Sequence, residues 1–111
     1  MLQVLLEQDG HAVVAAGDVQ SALQQCQVQL PDLMIVDLML PIEDGETFLR
    51  EFRRRWRHED VPVILLSASS ARNDIARKLG VEASLAKPFF AEDLRELVRQ
   101  LAAQKQSVAA S

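Results

Sequence analysis

Hydrophobic positions along the chain follow two rhythms. Three short runs are apolar almost without a break: Leu33-Met34-Ile35-Val36, Val63-Ile64-Leu65-Leu66 and, with smaller side chains, Ala83-Ser84-Leu85-Ala86. Runs this short do not fill a buried helix, and Pro31-Asp32 and Pro62 stand just ahead of the first two. Each therefore predicts a parallel strand covered on both faces. Around them the apolar residues return at helical spacing: Leu2, Leu5 and Leu6; Val19, Ala22, Leu23 and Cys26; Phe48, Leu49 and Phe52; Leu94, Leu97, Val98 and Leu101. These are faces of helices that pack on the sheet.

Turn and cap residues set the boundaries. Asp9-Gly10 stops a first helix, Gly17 turns the chain, and Asp18 caps a helix from Val19 to about Leu30. His11 to Ala16 predicts a short strand, weakened by its alanines. A third helix is expected from Asp44 to about Arg57. A fourth, from Ala71 to Leu79, is capped by Ser69 or Ser70 and ended by Gly80, and a last runs from about Ala91 to Gln104. Strands alternating with helices predict one α/β domain over residues 1–104, with 105–111 as a frayed tail.

The strand ends carry the chemistry. The first run delivers Asp37, the second Ser67 and the third Lys87, and open α/β sheets place their sites at the C-terminal ends of the strands. An acid, a hydroxyl and an ammonium at one edge suit phosphoryl transfer to a carboxylate: the carboxylate oxygen attacks while a donor and a cation hold the phosphoryl oxygens. Taken alone, Asp37 is a polar strand end, Ser67 a hydroxyl that caps the next loop, and Lys87 a solvated lysine. Only their common placement favours a site.

The motifs D-L-M-L-P-x-x-D-G from Asp37, P-V-I-L-L-S-A from Pro62 and G-x-x-x-x-L-x-K-P-F from Gly80, in this order and spacing, resemble the CheY-like receiver domain of two-component response regulators, from about Leu5 to Leu101. The resemblance implies a flavodoxin-like (CheY-like) doubly wound parallel sheet. It implies Asp37 as phosphoacceptor, Ser67 as phosphoryl-oxygen donor and switch, and Lys87 as phosphoryl-binding cation, aimed by a cis Lys87-Pro88 bond. It also implies Mg²⁺, bound by Asp37 and the backbone carbonyl of Met39. The implied partner is a sensor histidine kinase or phosphotransfer protein. An output protein or a second copy would dock through the fourth helix, last strand and last helix.

The chain departs from the family pattern in three places. It opens within the first helix, so the family's first strand and its acidic pair are not among its residues. Either the Val13 strand pairs with the Val36 strand, or the edge between them faces a gap or another molecule. Magnesium binding should be weak, because Mg²⁺ wants octahedral oxygen ligation and Glu7 and Asp9 lie on the wrong side of the helix to replace the pair. Ser84 stands where an aromatic is usual, and Phe90 where a capping Asp or Ser is usual. That makes Phe89 a core residue and Phe90 an exposed one.

Composition narrows the reading. One hundred and eleven residues, 49% hydrophobic and 25% charged with a net charge of -4, describe one ordinary domain, and no apolar run is long enough to span a membrane. The expectation is a cytoplasmic protein with no membrane contact. Mild acidity argues against nucleic acid, and the basic run Arg53-Arg54-Arg55-Trp56-Arg57-His58 reads as a solvated helix end. The single cysteine, Cys26, reads as core rather than nucleophile. Three functions remain. The first is a receiver accepting a phosphoryl group on Asp37, a regulatory phosphoacceptor rather than an enzyme. The second is a pseudo-receiver that binds partners without phosphorylation. The third, an aspartyl-phosphate phosphatase, is disfavoured because its second acid would fall at Met39.

Overall fold

The computed structural model describes residues 2–38 and 42–110. In chain order they form α1 (Leu2–Gln8), α2 (Val19–Val28), β1 (Met34–Leu38), α3 (Ile42–Arg55), β2 (Val63–Ser67), α4 (Arg72–Leu79), β3 (Ala83–Ala86) and α5 (Ala91–Ala110). The three strands make one parallel sheet in the order β1-β2-β3, with Asp37 opposite Leu66, Leu38 opposite Ser67, and Ser67 opposite Ala86.

Helices cover both faces, and two apolar clusters record it. On one face Met34, Val36, Leu38, Val63 and Leu65 pack with Leu23 and Cys26 of α2, Leu49 and Phe52 of α3, and Leu79 of α4. On the other, Ile64 and Leu66 pack with Leu6 of α1 and with Leu94 and Val98 of α5, and Phe89, Leu97 and Leu101 close the margin. Every residue of β2 is buried, which is why its sequence shows no alternation. Each fully buried leucine here is worth about 1.5–3 kcal/mol in removal from water. The Cys26 thiol lies in this core, and burial pushes its pKa up.

Local signals hold at several ends. Asp18 Oδ1 accepts the Ser21 N–H at 2.7 Å as the N-cap of α2. Gly80 ends α4 at φ 63°, and Gly10, at φ 95°, lets the chain turn after α1. α5 continues to Ala110, past the expected end at Gln104.

Two expectations fail. His11–Ala16 forms no strand: the sheet of described residues has three strands, and β1 pairs with β2 alone. Val13 packs on the second cluster, but Val14 is 68% exposed and the alanines on either side bury too little to hold a ladder. Nor does a serine hydroxyl cap α4. Ala71 occupies the N-cap with no side-chain bond, and Ser69 Oγ accepts the Ala71 N–H one step earlier.

The charged residues of the basic run at the end of α3 are exposed, and three of its arginines make contacts. Arg53 donates to the carbonyls of Leu79 and Gly80, finishing α4 from outside. Arg54 forks onto Glu51, Arg55 pairs with the same carboxylate, and Trp56 packs on Phe52 with tilted rings, their centroids 5.0 Å apart.

Candidate functional site

Asp37 and Lys87 meet although fifty residues separate them. Strand β1 carries Asp37 to the C-terminal edge of the sheet. The pairing of Ser67 with Ala86 sets Lys87 just beyond the end of β3. Lys87 Nζ donates to Asp37 Oδ1 at 2.5 Å, with the two side chains 28% and 42% exposed. The Lys87–Pro88 peptide is cis. A carboxylate left 42% exposed beside an ammonium is open to an incoming electrophile and has a cation ready for the charge that follows.

Ser67 lies on the neighbouring strand β2. It is 1% exposed, lies opposite Leu38 on one strand and Ala86 on the other, and so stands one register step from both Asp37 and Lys87. Its carbonyl accepts the Lys87 N–H at 3.0 Å, a backbone clamp between the two strand ends. Its hydroxyl oxygen accepts the Ser69 N–H at 3.0 Å, which leaves its own proton to donate.

Gly45, in the first turns of α3, lies against β1. A Cβ there would stand 2.1 Å from Leu38 Cδ2 and 3.4 Å from Val36 Cγ1. The close approach packs α3 tightly beneath the strand that presents Asp37. Beyond the site, Pro88 and Phe90 face solvent, Phe90 at 81% exposure, and Phe89 turns inward.

The described residues contain no group of three or more His, Cys, Asp or Glu placed to hold a metal, and Lys87 already occupies Asp37 Oδ1. The Met39 carbonyl lies outside the described residues. Asp9, one of the two N-terminal acids, is engaged elsewhere: Arg95 of α5 forks onto it with bonds of 2.8 and 2.5 Å. That guanidinium holds the Asp9 carboxyl below its usual value.

Two side-chain contacts elsewhere on the sheet have no signature in the sequence. Arg72 Nη1 donates to Ser84 Oγ at 2.9 Å, and Glu82 Oε1 accepts the Val63 N–H at 2.8 Å at the start of β2. The second joins positions brought together by strand pairing, the first positions brought together by the packing of α4 on β3. No periodicity or spacing could have singled them out.

The family model for the response regulator receiver domain matches residues 1–99. The chain is 35% identical over 96 residues to the phosphate regulon transcriptional regulatory protein PhoB of Escherichia coli, a match covering 85% of this chain and 42% of that protein. It is 38% identical over 104 residues to the virulence transcriptional regulatory protein PhoP of Salmonella typhimurium, covering 90% and 45%. The chain thus spans less than half the length of these relatives. Among solved structures, the receiver domain of the Francisella response regulator 1452 superposes with a TM-score of 0.80 at 28% identity, covering 94% of this chain and 86% of that one. Vibrio cholerae chemotaxis protein CheY4 superposes at 0.78 with 25% identity, covering 91% and 86%.

Proposed function

The chain belongs to the response regulator receiver domain family, and from that premise we propose that Asp37 accepts a phosphoryl group from the phosphohistidine of a sensor kinase or phosphotransfer protein. The observation that carries the reading is the 2.5 Å contact between Lys87 Nζ and Asp37 Oδ1 at the C-terminal edge of the sheet. In the transfer a carboxylate oxygen of Asp37 attacks phosphorus. The bond from phosphorus to the donor's imidazole nitrogen breaks, its electron pair stays with the imidazole, and an acyl phosphate forms. Lys87 offsets the charge on the phosphoryl oxygens, and the Ser67 hydroxyl donates to one of them. Receivers are regulatory phosphoacceptor domains, so the product is a state of the protein. Its added charge of roughly -1.5 to -2, by analogy with phosphorylated hydroxyls, biases the loop after Ser67 and the α4–β3 surface toward a partner.

A second reading, a pseudo-receiver that binds partners without phosphorylation, is favoured by one observation: the described residues offer no cluster of acids for the dication that receivers typically bind. With one monovalent cation facing an anionic donor, the transfer should be slow and magnesium affinity weak. The test is long incubation with a small-molecule phosphodonor, with and without Mg²⁺, followed by intact-mass measurement with Asp37→Asn as control. Addition of one phosphoryl group, lost in the control, supports the acceptor reading. No addition to a folded chain leaves the pseudo-receiver. Rapid, strongly magnesium-dependent labelling would show that the account of the metal ligands is wrong.

A further inference from the structure

Strand β1 stands at an open edge, because it pairs with β2 alone. The Met34 N–H donates to the Pro62 carbonyl at 2.9 Å, and backbone direction alternates along a strand, so Met34, Val36 and Leu38 direct their groups to β2. Ile35 and Asp37 direct theirs the other way, where the sheet of described residues has no strand beside them. Their N–H and C=O groups form an unpaired row that ends at the candidate site. Such a row is a template for a strand from elsewhere, and β1 contains neither the proline nor the lysine that would blunt it.

The same chain carries a segment that lacks a ladder. His11 to Ala16 lies in neither helix nor strand, and among the described residues no hydrogen bond engages the backbone of Ala12 to Gly17. Val13 reaches a core cluster, while Ala12, Val14, Ala15 and Ala16 are exposed. The segment is lightly held at both ends. At Gly17 nothing lies within 4 Å of where a Cβ would stand. Ahead of it, α1 has seven residues, tied down by the buried Leu6 and by the Arg95 fork on Asp9. A helix this short is marginal without such ties. Residues 2–16 therefore form an arm, hinged at Gly17, that moves without disturbing the pairing of β1, β2 and β3.

The open edge and the unpaired segment do not meet in one copy, and two copies supply each with the other. We propose that this chain forms a twofold dimer in which His11–Ala16 of each copy pairs with the open edge of β1 in its partner. Complementarity makes a second copy the occupant: β1 offers the N–H and C=O of Ile35 and Asp37, and the arm brings consecutive residues whose backbone groups have no partner. Ala12 to Ala16 carry no charge and no proline to forbid the approach. The interface is isologous, so the two pairings form together. Its alanines bury little, which makes the dimer weak and visible only at high protein concentration. The fourth helix, last strand and last helix take no part in it, and it does not depend on phosphorylation of Asp37.

The test measures molar mass by light scattering across a concentration series, with residue-resolved amide hydrogen exchange at both ends of the series. The parent chain is expected to pass from monomer to dimer as concentration rises. The Ile35 and Asp37 amides, which face the open edge, should exchange severalfold more slowly in the dimer, whereas the Val36 amide, directed to β2, should be protected throughout. Val14→Pro and Ala15→Pro each remove one of two neighbouring N–H groups that have no bond to lose, so at least one of them should shift the series toward monomer with the fold intact. Ile35→Pro removes an N–H that β2 does not use and should do the same. Mixing that arm variant with Ile35→Pro should recover part of the dimer, because the intact arm of one meets the intact edge of the other. Arg77→Ala, on α4, should change nothing. A parent chain that stays monomeric throughout overturns the proposal. So does a dimer that both arm variants leave intact, which marks pairing of the β1 edges with each other, or one that Arg77→Ala abolishes, which marks the α4 face. Should Ile35→Pro unfold, the arm variants and the exchange of Ile35 and Asp37 decide alone.

Discussion

Replacing Lys87 by alanine isolates the contribution of the one cation at the site. Two unit charges about 4 Å apart interact by about 4 kcal/mol at an effective dielectric of 20. Lys87 and Asp37 are 28% and 42% exposed, so solvent screens a good part of that. A retained contribution of roughly 1.4–2.8 kcal/mol to the transition state corresponds to a 10- to 100-fold loss of rate, below or just reaching the roughly 100- to 1000-fold that removing one donor from a preorganised, water-excluded site costs. The fold should hardly notice. A partly exposed ion pair contributes about 0–1 kcal/mol to stability, and the second apolar cluster, including Phe89 two residues on, is left in place. The assay is the rate of phosphoryl addition to Asp37 from a small-molecule donor, followed by intact mass, with thermal unfolding measured in parallel. A Lys87→Ala chain that is folded and labels within threefold of the parent would refute the role given to the ammonium.

Other consequences follow from packing and charge. Gly45→Ala gains up to about 1 kcal/mol of helix propensity but drives a methyl to 2.1 Å from Leu38 Cδ2. Overpacking of about 1–3 kcal/mol should win, lowering the denaturant midpoint. Leu94→Ala, at a position with 0% exposure between α5 and the sheet, should cost about 2–5 kcal/mol in chemical denaturation; a loss below 1 kcal/mol would contradict the packing described. For Asp9, the folded carboxyl is held below its usual 3.8 by Arg95. Its unfolded form therefore takes up a proton first as pH falls, so the stabilisation is complete above 3.8 and disappears as pH drops through the lower folded value. Arg95→Ala should remove that acid-side slope from unfolding midpoints measured between about pH 5 and 2, and an unchanged slope would show that the pair is not formed in solution.

Much of this protein is legible along the chain because its strands are short, apolar and buried on both faces, and its helices carry a single apolar stripe. Leu94, Leu97, Val98 and Leu101 mark α5 from spacing alone, Asp18 and Gly80 mark helix ends by local backbone chemistry, and the unbroken apolar runs mark the three strands. Local interactions decide these features, so local sequence suffices. The strand expected at His11–Ala16 is different. A strand exists only through its neighbour, and residues whose propensity allows an extended chain do not say whether a partner lies beside them. Likewise the bond from Arg72 to Ser84, the fork of Arg95 on Asp9 and the capping of α4 by Arg53 join residues 12, 86 and 26–27 positions apart. Each is a polar contact between flexible side chains and leaves no periodic trace in the sequence. Tertiary structure alone decided them, because only the stacking of α4 and α5 on a twisted parallel sheet brings those positions within reach.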